Sequence, residues 1–217
     1  RFMSNLEQYI NDPNMHEVDP LIKMAIIHHQ FESIHPFYDS NGRTGRIIAI
    51  LYLVTNDLLD LPILYLSRYI THNKNEYYSL IQAVRDNAPD NTDAWVEWIL
   101  FMLRGVEETA RDTIRLVKSM SELMSQFKNI LRPAFGQQYK HLFFHPYTKI
   151  EFMEKDMMVQ RKTAAKYLDK IVSLGLLEKI KMGRSNYYIN TALMNLFLSQ
   201  GEKSSIPVEA IESVNPN

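Results

Sequence analysis

Two prolines, Pro20 and Pro36, bracket a segment that has little choice but to be a helix. Asp19 stands before Pro20 as a helix N-cap, and proline suits the first helical position because the N–H it lacks would have no partner there. Leu21, Ile22, Met24, Ala25, Ile26, Ile27, Phe31 and Ile34 then recur to give a broad apolar face. A residue before proline is pushed out of the α region, so this helix is expected to stop at His35-Pro36. The polar loop Asp39-Ser40-Asn41-Gly42 follows. A second helix is expected from about Arg43 to Thr55, with enough Ile, Leu and Val to be buried on most sides. The frame is therefore helix, histidine, polar loop, helix.

Further helices are expected over 75–87, 92–103 and 106–128, with few strand signals in between. Trp95, Trp98, Leu100, Phe101 and Leu103 read as core packing. After Arg132-Pro133 the texture changes. Gln137–Phe144, Glu151–Met158 and Gln160–Leu174 read as helices, the last ending at Gly175. Leu176–Met182 and Asn186–Asn190 read as two strands joined by the turn Gly183-Arg184-Ser185. Helices followed by a hairpin are a winged-helix pattern. The expected fold class is mainly α: a helical core over 1–130, a small winged-helix domain over 131–200, and a tail over 201–217.

Composition sets outer limits. A chain of 217 residues suits one large domain or one with a small appendage. Its lack of cysteine excludes disulfides, thiolate metal sites and a cysteine nucleophile. The longest unbroken apolar stretch, Ile47–Val54, falls far short of the roughly 18 residues of a membrane span. No signal segment opens the chain, so a cytoplasmic protein is expected. Arg1 stands in place of a start Met, so a fragment is expected. The net charge of −1 conceals a division: residues 1–130 hold 12 basic and 17 acidic side chains, residues 131–217 hold 12 and 8.

The residues from His35 to Arg46 carry the chemistry. A helix N-terminus offers free N–H groups and positive dipole, so the loop before it favours phosphate. Gly42 lets the backbone approach an anion, and Arg43 and Arg46, three apart, can both face one polyphosphate. Asp39 is placed to hold Mg²⁺ against that polyphosphate, since Mg²⁺ takes one or two carboxylates plus phosphate oxygens. His35 is the natural proton acceptor near neutral pH. Phe37 and Ile34 would pin the loop. Each residue alone could be plain surface or core. Seven specified positions together give a chance match on the order of 10⁻⁹ per window.

This segment, His35-Pro36-Phe37-Tyr38-Asp39-Ser40-Asn41-Gly42-Arg43-Thr44-Gly45-Arg46, resembles the signature H-x-F-x-[DE]-G-N-G-R-x-x-R of the Fic family, with Ser40 where glycine is usual. The likeness extends to Phe31-Glu32-Ser33-Ile34, to 58–69 and to Tyr77-Tyr78, and it is to bacterial Fic proteins that end in a winged helix. It implies a protein adenylyltransferase (AMPylation) that moves AMP from ATP to a Ser, Thr or Tyr hydroxyl of a protein. By position, the resemblance implies that His35 is the general base and Asp39 the Mg²⁺ ligand. It implies that Ser40, Asn41, Gly42, Arg43, Thr44 and Gly45 form the phosphate loop, with Arg46 on the γ-phosphate. Tyr77 and Tyr78 fall where the family builds its base pocket, and Arg85 stands where asparagine is often found. The family's inhibitory motif [ST]-x-x-x-E-[GN] has no match; Ser205 and Glu209 have the spacing but precede Ala210. An inhibitory helix and a target-binding flap are expected ahead of Arg1, which leaves Arg46 without an inhibitory partner.

Other readings are weaker. His28, His29 and Glu32 lie on different faces of one helix, which disfavours a metal cluster. His141 and His145 are spaced i, i+4, without the glutamate of a zinc helix. No Walker-type phosphate loop occurs. In the winged helix, Arg161, Lys162, Lys166 and Arg184 could touch DNA, the lesser reading beside solvated charge. The rival function is a DNA-binding regulator whose core senses nucleotide, or an enzyme that removes AMP. Self-modification and a homodimer are left open.

Overall fold

The computed structural model describes residues 1–12, 17–87, 92–135 and 138–199. They divide into two compact units, Arg1–Thr113 and Ile114–Asn217. The tail expected over 201–217 lies outside the described residues, as does the side chain of His141. None of the described helices is long and apolar enough to cross a membrane.

The first unit is helical: α1 (Phe2–Asn11), α2 (Pro20–Ile34), α3 (Asn41–Thr55), α4 (Leu66–His72), α5 (Lys74–Asn87) and the start of α6 (Thr92–Phe135). α2 begins as its sequence dictates, with Asp19 accepting the Leu21 N–H at 2.8 Å and Pro20 in the first turn. It ends at His35, whose N–H bonds the Phe31 carbonyl at 3.0 Å. His35 itself takes the left-handed conformation (φ 51°, ψ 57°), not the extended one that usually precedes proline. Met24, Ala25, Ile27 and Phe31 from α2 meet Ala49 and Leu53 from α3 and Trp98, Phe101 and Met102 from α6 in one core. The Trp98 indole N–H donates to the Ala25 carbonyl at 2.9 Å, which removes the cost of burying it.

Several expectations need correction. α3 is not buried on most sides, since Ile47 and Leu51 are half exposed. Leu100 is likewise exposed rather than core. The two helices expected over 92–103 and 106–128 are one, α6, which runs through Gly105 and carries Pro133 inside it. Gly105 is compatible with that helix because its missing side chain makes room: a Cβ there would lie 2.6 Å from the Tyr69 ring. α1 and α4 were not expected as separate elements.

The second unit contains the rest of α6, a 3-10 helix (Gln138–Phe143) where an α-helix was expected, then β1 (Tyr147–Lys149), α7 (Ile150–Met157), α8 (Arg161–Ser173), β2 (Glu178–Met182), β3 (Ser185–Ile189) and α9 (Thr191–Leu198). The hairpin β2–β3 forms about Gly183, whose φ of 61° suits glycine. β3 also pairs antiparallel with β1, giving the order β1-β3-β2. β1 and α9 are too short for a sequence signal to have shown them. Leu168, Ile171, Leu131, Phe127 and Tyr188 close this unit's core. The winged-helix arrangement is therefore present, with a third strand.

Candidate active site

The loop from His35 to Ser40 is built by local hydrogen bonds. Asn41, buried at the start of α3, clasps Phe37: its Oδ1 accepts the Phe37 N–H at 2.9 Å and its Nδ2 donates to the Phe37 carbonyl at 2.6 Å. Asn41 thus shapes the loop with its side chain, while its own N–H sits in the uncapped first turn of α3. Ser40 caps α3 with φ 72°, a conformation that costs a non-glycine residue about 1–2 kcal/mol. No side chain caps the α3 N–H groups, so the first turn keeps donors for an anion. Phe37 is half exposed and only touches Phe31, ring to ring at 6.2 Å, so it pins the loop less than expected.

This loop forms one wall of a cavity of about 400 Å³. His35, Tyr38, Asp39, Ser40, Asn41, Gly42, Arg43 and Arg46 line it from one side, and Ile70, Thr71, Lys74, Tyr77 and Tyr78 from α4 and α5 line the other. Thr44 and Gly45 do not reach it. Thr44 turns its hydroxyl back to the Ser40 carbonyl at 3.1 Å, and Gly45 faces inwards. The expected residues on α3 and the distant pair Tyr77-Tyr78 are brought together. Lys74, with its ammonium 5.9 Å from the Tyr78 ring, was missed; its spacing of one helical turn before Tyr77 and Tyr78 was the available signal.

His35 Nδ1 lies 3.3 Å from the Glu32 carbonyl oxygen. A carbonyl only accepts, so Nδ1 carries the proton and Nε2 keeps a free lone pair. Asp39 is exposed, with Oδ1 accepting the Ser40 N–H at 2.6 Å and Oδ2 3.7 Å from Arg43. Arg43 also donates to the Ser40 hydroxyl. A single exposed carboxylate suits a metal that takes most of its remaining ligands from phosphate and water. Among the described residues, no cluster of three or more His, Asp or Glu could hold a metal unaided, the proposed His28–His29–Glu32 group included.

Beneath the loop lies a buried polar layer that the sequence did not reveal. His28 Nδ1, Glu32 Oε1 and Arg46 Nε are buried without a hydrogen-bond partner. All three groups crowd the α3 glycines. A Cβ on Gly45 would stand 2.9 Å from Glu32 Oε1 and 3.2 Å from the His28 ring, and one on Gly42 would stand 3.4 Å from Arg46 Nη1. Burial holds His28 at about 4, far below the usual imidazole value, and lowers His29 too. Burial pushes the Glu32 carboxyl up, against the pull of His35, Arg46 and Arg85. The Tyr77 phenol is raised by burial and bonds His28 Nε2 at 2.9 Å. The signal for this layer was the i, i+4 spacing of His28 and Glu32.

In the second unit the suggested DNA-contact residues behave differently. Arg161 lies 3.3 Å from Glu154 and 3.7 Å from Glu151. Lys162, Lys166 and Arg184 have exposed side chains.

Two family models match the chain: the Fic/DOC family over residues 1–53, and the C-terminal domain of SoFic-like protein adenylyltransferases over 123–193. A probable protein adenylyltransferase of Aquifex aeolicus is 43% identical over 75 residues, covering 35% of this chain and 21% of that protein. Protein adenylyltransferases of Caenorhabditis briggsae and Caenorhabditis elegans are each 33% identical over 52 residues, covering 24% of this chain and 10% of theirs. The chain thus spans only a fifth or less of the length of these relatives. A crystal structure of a Fic family protein from Desulfovibrio desulfuricans aligns with a TM-score of 0.45 at 20% identity, over 87% of this chain and 54% of that one.

Proposed function

We propose that the chain, which matches the Fic/DOC family model over residues 1–53 and the SoFic-like C-terminal domain over 123–193, transfers AMP from ATP to a hydroxyl side chain of a protein. The observation that carries this reading is the cavity in which His35, Asp39, the α3 N-terminus, Arg43 and Arg46 converge. The phosphates of ATP would lie against the first-turn N–H groups of α3 and the two guanidinium groups. Tyr78 offers exposed aromatic surface for the base, and the buried Tyr77 lies edge-on to its ring. Asp39 would hold Mg²⁺, which when bound supplies charge neutralisation on the phosphates.

His35 does the proton work. With Nδ1–H held on the Glu32 carbonyl, Nε2 accepts the proton of the incoming Ser, Thr or Tyr hydroxyl as its oxygen bonds to the α-phosphorus. The bond from the α-phosphorus to the bridging oxygen breaks, and pyrophosphate leaves. Arg46 lines the cavity, where a charge-assisted bond from its guanidinium to a phosphate oxygen would offset the charge on the leaving group. The basic helix of the second unit has no part in this proposal, because Arg161 is engaged by Glu151 and Glu154.

The test is incubation with α-labelled ATP and Mg²⁺, with candidate target proteins and without. Label that appears on protein, on a target or on the chain itself, and that disappears in His35→Ala supports the reading. Label on protein that survives His35→Ala sinks it.

A further inference from the structure

We propose that Arg85 is a positioning residue for His35, acting through the main-chain carbonyl of Glu32; this rests on the reading of His35 as the proton acceptor. Arg85 sits in the last turn of α5, outside the cavity lining. Its Nη2 donates to the Glu32 carbonyl at 2.7 Å and its Nε to the Ser33 hydroxyl at 3.2 Å. The same Glu32 oxygen accepts the His35 Nδ1–H. A carbonyl oxygen has two lone pairs, so one atom takes both donors. A guanidinium and an imidazole 50 residues apart in sequence therefore meet on one oxygen.

The end of α2 needs this partner. Its last carbonyls have no intrahelical donors, and the helix has no basic residue in its last turn to balance the negative end of its dipole. Arg85 supplies the cation from another helix. A second bond seats α5 at the same place, His29 Nε2 donating to the Ile81 carbonyl at 3.3 Å. His35 departs from α2 in a left-handed conformation with an exposed side chain, a strained state that persists only where its surroundings fix it. The Arg85 bond fixes the carbonyl, the carbonyl fixes Nδ1–H, and the ring then aims Nε2 at the cavity. Because α5 also carries Tyr77 and Tyr78, the helix that walls the nucleotide cavity also orients the base.

The experiment compares wild type, Arg85→Ala, Arg85→Lys and His35→Ala in the full chain, by steady-state AMP transfer and by ¹⁵N-histidine NMR. Arg85→Ala is expected to lower kcat about 10- to 100-fold, as small misplacements of a catalytic group do, with KM for ATP within about twofold. Arg85→Lys, which keeps a charged donor, recovers a large part. The His35 signals change from a single Nδ1–H tautomer in wild type to a mixture in Arg85→Ala. The proposal is overturned by an unchanged kcat and tautomer in a folded Arg85→Ala, or by a raised KM for ATP with kcat intact, which would make Arg85 a nucleotide ligand. If label survives His35→Ala, the function reading has failed instead, and the NMR signals still decide whether Arg85 orients His35.

Discussion

Both units carry ion pairs, such as Arg68–Asp112 in the first and Lys179–Asp169 in the second, but they differ in their buried polar atoms. In the second, Arg161 is met by Glu151 and Glu154, Lys179 bonds Asp169 at 2.8 Å, and Lys149 lies 4.3 Å over the Tyr187 ring. In the first, the polar atoms that are buried with no partner, His28 Nδ1, Glu32 Oε1 and Arg46 Nε, gather behind one cavity. Folded proteins rarely leave buried polar atoms unmet, and exceptions concentrate where function requires them. Sequence charge alone suggested the reverse emphasis, since the basic excess lies in the second unit. Buried polar atoms left unmet, and not the number of charges, separate a site from a solvated surface here.

The largest expected effect tests whether the first unit is a site at all. His35→Ala should lower AMP transfer by about 10²- to 10⁴-fold, the usual worth of a positioned general base. The urea midpoint should barely move, because the imidazole is exposed. A variant that loses activity and stability together would instead mark His35 as a structural residue.

Next comes the pH dependence of the first unit. His28 is neutral when folded down to about 4, whereas in the unfolded chain it gains a proton below its ordinary value near 6.5. Between these values the unfolded state binds more protons, so stability falls as pH falls, by about 3 kcal/mol over the window. His29, also lowered by burial, adds in the same direction. Glu32, raised by burial, acts oppositely, costing stability as pH rises above the ordinary carboxyl range. The titratable and charged groups facing His28 are Arg46, His29, Glu32 and Tyr77. Trp95 and Trp98, the chain's two tryptophans, report on this unit alone, so urea titrations by their fluorescence isolate it. His28→Gln should flatten the slope between about pH 6.5 and 4; parallel slopes would show that His28 does not set it.

A smaller effect is expected at Gly45. Alanine there places a Cβ 2.9 Å from Glu32 Oε1 and 3.2 Å from His28. Overpacking of this kind costs about 1–3 kcal/mol, less up to about 1 kcal/mol for the gain in helix propensity. Because Glu32 and Arg46 share this layer, KM for ATP should rise as well. Lost stability with KM unchanged would detach the buried layer from the nucleotide site.

Much of this site could be read in the sequence because its residues lie within one loop and one helix start. Asp19-Pro20 and His35-Pro36 marked both ends of α2, and Gly42 to Arg46 marked the start of α3. What escaped depended on contacts between distant segments. Glu32 read as part of the family likeness and of a disfavoured metal cluster, and its place beside Gly42 and Gly45 shows only in the fold. Lys74 and Arg85 gained meaning only once α5 lay against the end of α2. Gly105 suggested a break in α6, and only the Tyr69 ring beside it shows why the helix continues. Short elements such as β1 and α9 exist because β3 and the second core provide partners, which no local window contains.

The weakest expected effect concerns the second unit. Exposed ion pairs contribute little, so Arg161→Gln should change its stability by no more than about 0.5 kcal/mol. With Arg161 neutralised by two glutamates, the wild-type chain should bind duplex DNA only weakly, without the steep salt dependence that several phosphate contacts produce. Glu151→Gln combined with Glu154→Gln frees Arg161 beside the exposed Lys162 and Lys166, and should strengthen that binding and its salt dependence. Sub-micromolar, salt-sensitive binding by the wild-type chain would show that these pairs open in solution and that the second unit's basic face is a binding surface.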